Sequence, residues 1–155
     1  MRVSTKFPVA VHTMIIIAAL SDMRKINSDI IAESTGVNAV TIRNIFTALK
    51  QADMILVSPG PGGARLARSP DSITLWDIFI AVEPMNTEDL FPIHQNPSDH
   101  CPVGGNIYGL LKTHLDDAVD ALKNKLSGTT IAMMVDELRD LLPELPPLPE
   151  RRDSP

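Results

Sequence analysis

Hydrophobic positions in residues 28–66 fall into two short helical stripes followed by a short β-prone run, and the rest of the chain is arranged around them. In S-D-I-I-A-E-S-T-G-V-N-A-V-T-I-R-N-I-F-T-A-L the apolar positions predict two helices meeting across a turn. Ile31 and Ala32 lie on the inner face of the first, and Ala32 is small enough for close approach. Gly36 sits where the chain leaves that helix, a place that favours positive φ. Val37 plugs the turn, and Asn38 is a good N-cap for a second helix whose inner face is Val40 or Thr41, Ile42, Ile45 and Leu49. This spacing is that of a helix-turn-helix, although two ordinary packed helices would share it. Residues 54–58, M-I-L-V-S, are β-prone, the run P-G-P-G-G at 59–63 forces a turn, and A-R-L-A at 64–67 returns as a second strand. A hairpin directly after such a helix is a wing, and it tips the balance toward the helix-turn-helix.

The flanking patterns are helical. Residues 9–20 are apolar almost all round, which predicts a central core helix starting near Thr5, capped by Ser4 or Thr5, with Pro8 tolerated in its first turn. Ser4 and Lys6 would sit at its positive end, where a cap and a solvated lysine compete with a DNA-phosphate contact. His12 is expected to be a partly buried core histidine. P-D-S at 70–72 should cap a short helix over 73–82 that covers more than one face with Ile73, Trp76, Ile78, Phe79 and Val82. Residues 105–126 predict a long helix with Ile107, Leu111, Leu115, Ala118, Leu122 and Leu126 in one stripe. Such a seam suits pairing with a second copy, and packing within one chain explains it as well. Gly128 stops it, and Thr129 or Thr130 caps a last helix with Ile131, Met134, Val135, Leu138, Leu141 and Leu142 inside. The fold class is mainly α with a small β-hairpin. Its expected parts are a winged helix-turn-helix domain (1–68), a short helix with an ordered loop (69–103), a long dimerisation helix and C-terminal helix (104–142), and a disordered proline-rich tail (143–155).

Charge sharpens this picture. The net charge of −5 argues against nucleic acid until its distribution is considered. Residues 1–68 carry eight Lys/Arg against four Asp/Glu, a balance of +4, and residues 69–155 carry six against fifteen, a balance of −9. The basic part coincides with the helix-turn-helix and wing, as phosphate contact requires. No apolar run is long enough for a membrane span and no signal-peptide pattern opens the chain, so a soluble cytoplasmic protein is expected.

Candidate chemistry is sparse. The one cysteine, Cys101, lies beside His100 and near His94 in a loop rich in breakers. That spacing matches no zinc pattern, so an ordered loop without metal or other cofactor is expected. A nucleophilic role for Cys101 would need a base held against the thiol, which a sequence neighbour does not supply. The expectation is that the protein is not an enzyme. A lone cysteine is more often packing than sensor, and redox sensing at Cys101 stays open, as does a small-molecule effector between the short and long helices.

The chain resembles the Rrf family of bacterial winged-helix transcriptional regulators, the group that includes IscR, NsrR and CymR. The resemblance is carried by R-V-S-T-K-F-P-V-A-V, I-I-A-E-S-T-G-V, the wing G-P-G-G-A-R-L, S-I-T-L-W-D-I-F-I-A-V-E and C-P-V-G-G-N-I. N-P-S-D-H-C-P-V-G is similar to the cluster-free members resembling YwnA. The resemblance implies a homodimer joined by the long helix, with each recognition helix and wing on one half of a palindromic operator in double-stranded DNA. Asn38, Ala39, Val40, Thr41, Arg43 and Asn44 would meet the major groove, with Arg43 and Asn44 on base edges and Thr41 on a phosphate or a thymine methyl. Arg65 and the backbone of Gly62 and Gly63 would serve the wing. Three departures stand out. Cluster-binding members have three cysteines where this chain has Cys101, and a cluster needs several thiolates. Pro59 stands where an arginine commonly precedes the wing glycines, a contact Arg65 would take over. Arg43 replaces a recognition-helix glutamate of the IscR kind, so the operator should differ. The chain is therefore expected to be a DNA-binding regulator, a repressor lacking an iron–sulfur cluster. The alternative is a winged-helix module used for protein contacts.

Overall fold

The computed structural model describes residues 4–60, 63–83 and 90–145. Gly62 and the tail from 146 onward therefore lie outside the described residues. The element order is α1 (Lys6–Leu20), α2 (Ser28–Thr35), α3 (Ala39–Gln51), β1 (Ile55–Ser58), β2 (Gly63–Leu66), a 3-10 turn (Pro70–Ser72), α4 (Leu75–Val82), α5 (Gly104–Ser127) and α6 (Ile131–Leu141).

As its unbroken apolar pattern predicts, α1 is the central helix: it touches α2, β2, α4 and α6. Ala10, Met14, Ile16, Ile17 and Ala18 are buried on it. The one polar side chain buried among them, Thr13, donates to the Val9 carbonyl at 2.8 Å, so its hydroxyl is satisfied within the helix. His12 is exposed rather than partly buried, because it sits on the outer edge of α1; its Nε2 lies 3.2 Å from the Ser34 hydroxyl of α2.

Side-chain caps define α2 and α3. Asn27 Oδ1 accepts from the amides of Asp29 and Ile30 before α2, and Asn38 Oδ1 accepts from the Thr41 amide at 2.9 Å before α3. Gly36, at φ +70°, ends α2 in the left-handed region and turns the chain toward α3. Ile42, Ile45, Phe46 and Leu49 are the buried face of α3. Val40 is 62% exposed and belongs to the opposite side, since a stripe through Ile42, Ile45 and Leu49 turns residue 40 outward. The antiparallel hairpin pairs Ile55 with Leu66, Leu56 with Arg65, Val57 with Ala64 and Ser58 with Gly63.

The short helix begins at Leu75, two residues later than the pattern of apolar positions suggests. Ile73 is extended because its carbonyl accepts from the Ile131 amide at 2.9 Å, and Leu75 in turn donates to the Thr129 carbonyl. Thr74 and Asp77 then form a reciprocal capping box. This pairing brings α6 back onto α1, where Ile131 and Val135 join the core of Met14, Ile17, Ile42 and Leu49. Leu141 (77% exposed) and Leu142 lie outside that core, and Ala132 is buried in their place.

Facing two ways, α4 sends Ile78 and Val82 into the main core while Trp76 and Phe79 meet Leu90 and the Val119, Leu122 and Leu126 side of α5. Phe7 closes this second cluster edge-on to Phe79, and Trp76 stacks on Phe79, each with ring centroids 5.4 Å apart. Only the C-terminal half of α5 gains cover in this way. None of its 24 residues is fully buried.

Candidate nucleic-acid interface

The outer face of α3 is unobstructed. Val40, Arg43, Asn44, Thr47 and Lys50 are exposed along it, and Ala39 and Thr41 are half-buried. Asn38 and Thr41 are tied to each other at its start, with the Thr41 hydroxyl 3.2 Å from Asn38 Oδ1. Arg43 Nη2 stands 3.8 Å from Asp29 Oδ1, a wide ion pair between exposed side chains that contributes little and leaves the guanidinium free to exchange partners. Thr47 and Lys50 extend the polar face by one turn beyond the residues singled out in the sequence. The 3.6-residue repeat from Arg43 is the signal that would have included them.

The wing stands beside this helix. Arg65 is exposed on β2 opposite Leu56, whereas Gly63 is buried. A Cβ at Gly63 would lie 2.7 Å from the Ile26 carbonyl oxygen, so only glycine lets the hairpin rest on the 21–27 connection. The Ala64 amide donates to that same carbonyl at 2.7 Å.

At the start of α1 the Ser4 hydroxyl accepts from the Lys6 amide at 3.1 Å and donates to Glu83 Oε1 at 2.5 Å. Its single proton is thus committed to a buried carboxylate at the end of α4. Lys6 is exposed and is the group at this helix end placed to meet a phosphate.

Cys101 is exposed rather than packed, because residues 98–103 turn on the surface just before α5. Backbone amides of Gly104 and Val103 at the start of that helix hold its thiol below the usual cysteine range. Among the described residues no group of three or more His, Cys, Asp or Glu gathers as metal ligands would. The lowered pKa has a direct consequence: the pH midpoint for alkylation of Cys101 by iodoacetamide should lie below that of the urea-unfolded chain. Equal midpoints would mean that those amides do not reach the sulfur in solution. A groove of about 440 Å³ opens between α1 and α6, lined by Val11, Ile15, Leu20, Met134 and Leu138 with His12 and Glu137 at its polar points. No helix among the described residues is long and apolar enough to cross a membrane.

A capped helix pair, an open polar recognition face and a braced hairpin define a winged-helix transcriptional regulator. Residues 3–137 match the Rrf2 family, described as iron-dependent transcriptional regulators, and the chain belongs to that family. It is 32% identical over 136 residues to a protein of Bacillus subtilis (strain 168) named as an HTH-type transcriptional regulator, YwnA, covering 88% of this chain and 98% of that one. The fold is also that of a transcriptional regulator from Lactobacillus plantarum (TM-score 0.71, 26% identity, 86% of this chain and 89% of that one). It is shared too with T. potens IscR (TM-score 0.63, 22% identity, 92% and 91%). Members of this family are regulators rather than enzymes, and they bind DNA.

Proposed function

We propose that the protein is a homodimeric, sequence-specific repressor of the cytoplasm that recognises a palindromic operator without an iron–sulfur cluster. The observation that carries the reading is the open face of α3, where Arg43 and Asn44 stand out from the helix next to the Arg65 hairpin, in the basic half of the chain. Arg43 presents a two-pronged donor that matches guanine O6 and N7, and Asn44 matches adenine N6 and N7. Lys6 serves a phosphate, Thr41 a phosphate or a thymine methyl, and Arg65 the adjoining groove, whereas Gly63 is buried against the 21–27 connection and is left out of the contact. Two copies joined along α5 place two such faces on one duplex, and a dimer seated on a promoter excludes other proteins from it. The domain division follows the same logic: residues 1–68 read DNA, 69–103 link, and within 104–142 α5 joins the copies while α6 packs back on the reading domain.

The residues do not fit the iron of the family's description. Cys101 is the one cysteine in the chain, it is exposed, and a cluster requires several thiolates converging on it. The signal is therefore read by other means, with Cys101 itself as one candidate.

Selection of duplexes from a random-sequence library by the wild-type chain tests the reading. A palindromic consensus is expected, and an unselective outcome would refute it. On the selected duplex, Arg43→Ala should lower affinity by about 10- to 100-fold, the worth of one bidentate base contact. Affinity should also fall steeply with salt, with a log–log slope of about −0.9 per neutralised phosphate. A shallow slope with unchanged Arg43→Ala affinity would point to protein partners instead.

A further inference from the structure

We infer that Lys25, outside both the helix pair and the hairpin, is a positioning residue for DNA recognition: its ammonium holds the Gly60 carbonyl and so fixes the direction in which the wing presents Arg65. This rests on the reading of the wing as a DNA contact.

The wing is a poor structure by itself. Its strands are four residues each, and an isolated two-stranded hairpin is marginal in water. Leu56, Val57 and Ser58 of β1 are all exposed, so that strand is seated on the core only through Ile55 at its base. The hairpin needs an outside brace to point one way, and residues 25–26 supply it from the connection between α1 and α2. The brace has three parts. The Ile26 carbonyl accepts from the Ala64 amide at 2.7 Å, as a third strand would. The stem of Lys25 crosses the bare α-carbon of Gly63, where a Cβ would lie 2.8 Å from Lys25 Cγ. Its ammonium then reaches on to the turn and donates to the Gly60 carbonyl. One side chain thus touches both flanks of the turn, Gly63 at the start of β2 and Gly60 after the end of β1.

Of these parts, only the ammonium–carbonyl bond holds the β1 side of the turn. The backbone bond and the Gly63 contact hold the β2 side, at the two residues that follow the turn, so the lysine ties the second side to the same connection. A lysine at this exposed place is otherwise an ordinary solvated cation, and a phosphate contact of its own is the rival role. The two roles differ in what they couple to. A positioning lysine acts through Arg65, so its loss costs nothing further once Arg65 is gone. A phosphate-binding lysine acts alone.

The experiment measures affinity by fluorescence anisotropy, across a salt series, on a duplex selected by the wild-type chain from a random library. It compares wild type, Lys25→Met, Lys25→Arg, Arg65→Ala and the Lys25→Met/Arg65→Ala double variant. Methionine keeps the stem over Gly63 and removes the donor; arginine restores a donor. Lys25→Met should lower affinity about fivefold, Lys25→Arg should recover most of it, and the double variant should bind like Arg65→Ala alone. Hydroxyl-radical protection at the outer, wing-side positions should fade in Lys25→Met while the central positions stay protected. Additive losses, with the salt slope reduced by about one phosphate, would overturn the proposal in favour of direct contact. Wild-type affinity in Lys25→Met would also overturn it while leaving the DNA reading intact. A wild-type chain that selects no duplex removes the DNA reading and the proposal with it.

Discussion

Leu111→Asp is expected to sediment as a folded single chain, against the pair proposed for the wild-type protein, and to lower affinity for the selected duplex by roughly two to four orders of magnitude. The reasoning starts from the uneven cover on α5. Val119, Leu122 and Leu126 are packed against Trp76, Phe79 and Leu90 of the same chain. The preceding turns have no such partner among the described residues: Val103, Tyr108 and Leu110 are 68%, 55% and 60% exposed, and Ile107, Leu111 and Leu115 are half-buried beside them. An apolar strip of that length on a helix about 36 Å long is the kind of surface a second copy covers. A carboxylate at Leu111 would have to be desolvated between two copies, a cost that outweighs one leucine contact. It would not disturb the monomer, because Leu111 belongs to neither core cluster. The large fall in DNA affinity follows because the second half-site would no longer be bound as an intramolecular event. Sedimentation velocity of both proteins at the same concentration, with circular dichroism as the fold control, reads the outcome. A variant that still sediments as a pair would place the dimer contact elsewhere.

Ile42→Ala is expected to lower the melting temperature by roughly 5–15 °C in a chain of this size, the counterpart of about 2–5 kcal/mol lost when a large aliphatic side chain leaves a cavity in a packed core. Ile42 is fully buried on the inner face of α3, in the cluster that holds Ile31 of α2 and Met14 and Ile17 of α1. The cluster around it is built of apolar side chains, so the lost contacts are not replaced. Arg43, one position along and on the outer face, is the natural comparison: Arg43→Ala should melt close to wild type while losing DNA affinity. Thermal unfolding must be followed at one protein concentration, since association shifts the midpoint. A melting temperature within about 2 °C of wild type would mean that α3 is not seated on α1 and α2 as described.

Taken together, the two substitutions separate functions that lie close together on the chain. The inner face of α3 holds the domain together and its outer face is the one proposed to read the duplex, so neighbouring residues are expected to fail in different assays. On α5 the proposed assembly surface is the first half, and the second half packs within its own chain.

Much of this architecture was legible in residues taken a few at a time. Asn38 before an apolar repeat, Gly36 after one, and five residues of proline and glycine between two β-prone runs each act within a single turn of chain. Caps and left-handed turns are decided by contacts within a few residues, and the hairpin by pairs no more than 11 apart, and the spacing records them. The repeat also fixed which side of α3 faces inward, and hence that Arg43 and Asn44 face out. What spacing could not record was which distant segment each face would meet. Ile73 stays extended because residues 129–131 return to pair with it after the whole of α5 has intervened. His12 and Cys101 are exposed because no described segment covers them, His12 meeting only the Ser34 hydroxyl of α2, although their neighbours along the chain are apolar or turn-forming. The Ser4 hydroxyl is committed to Glu83, and Lys25 to Gly60, across separations of 79 and 35 residues. Such contacts depend on where the folded elements leave room and which donors they bring within reach. The sequence by itself determined the helix pair, the hairpin and the polar face of α3, while the brace beneath the wing and the return of α6 to the core were decided by packing in three dimensions.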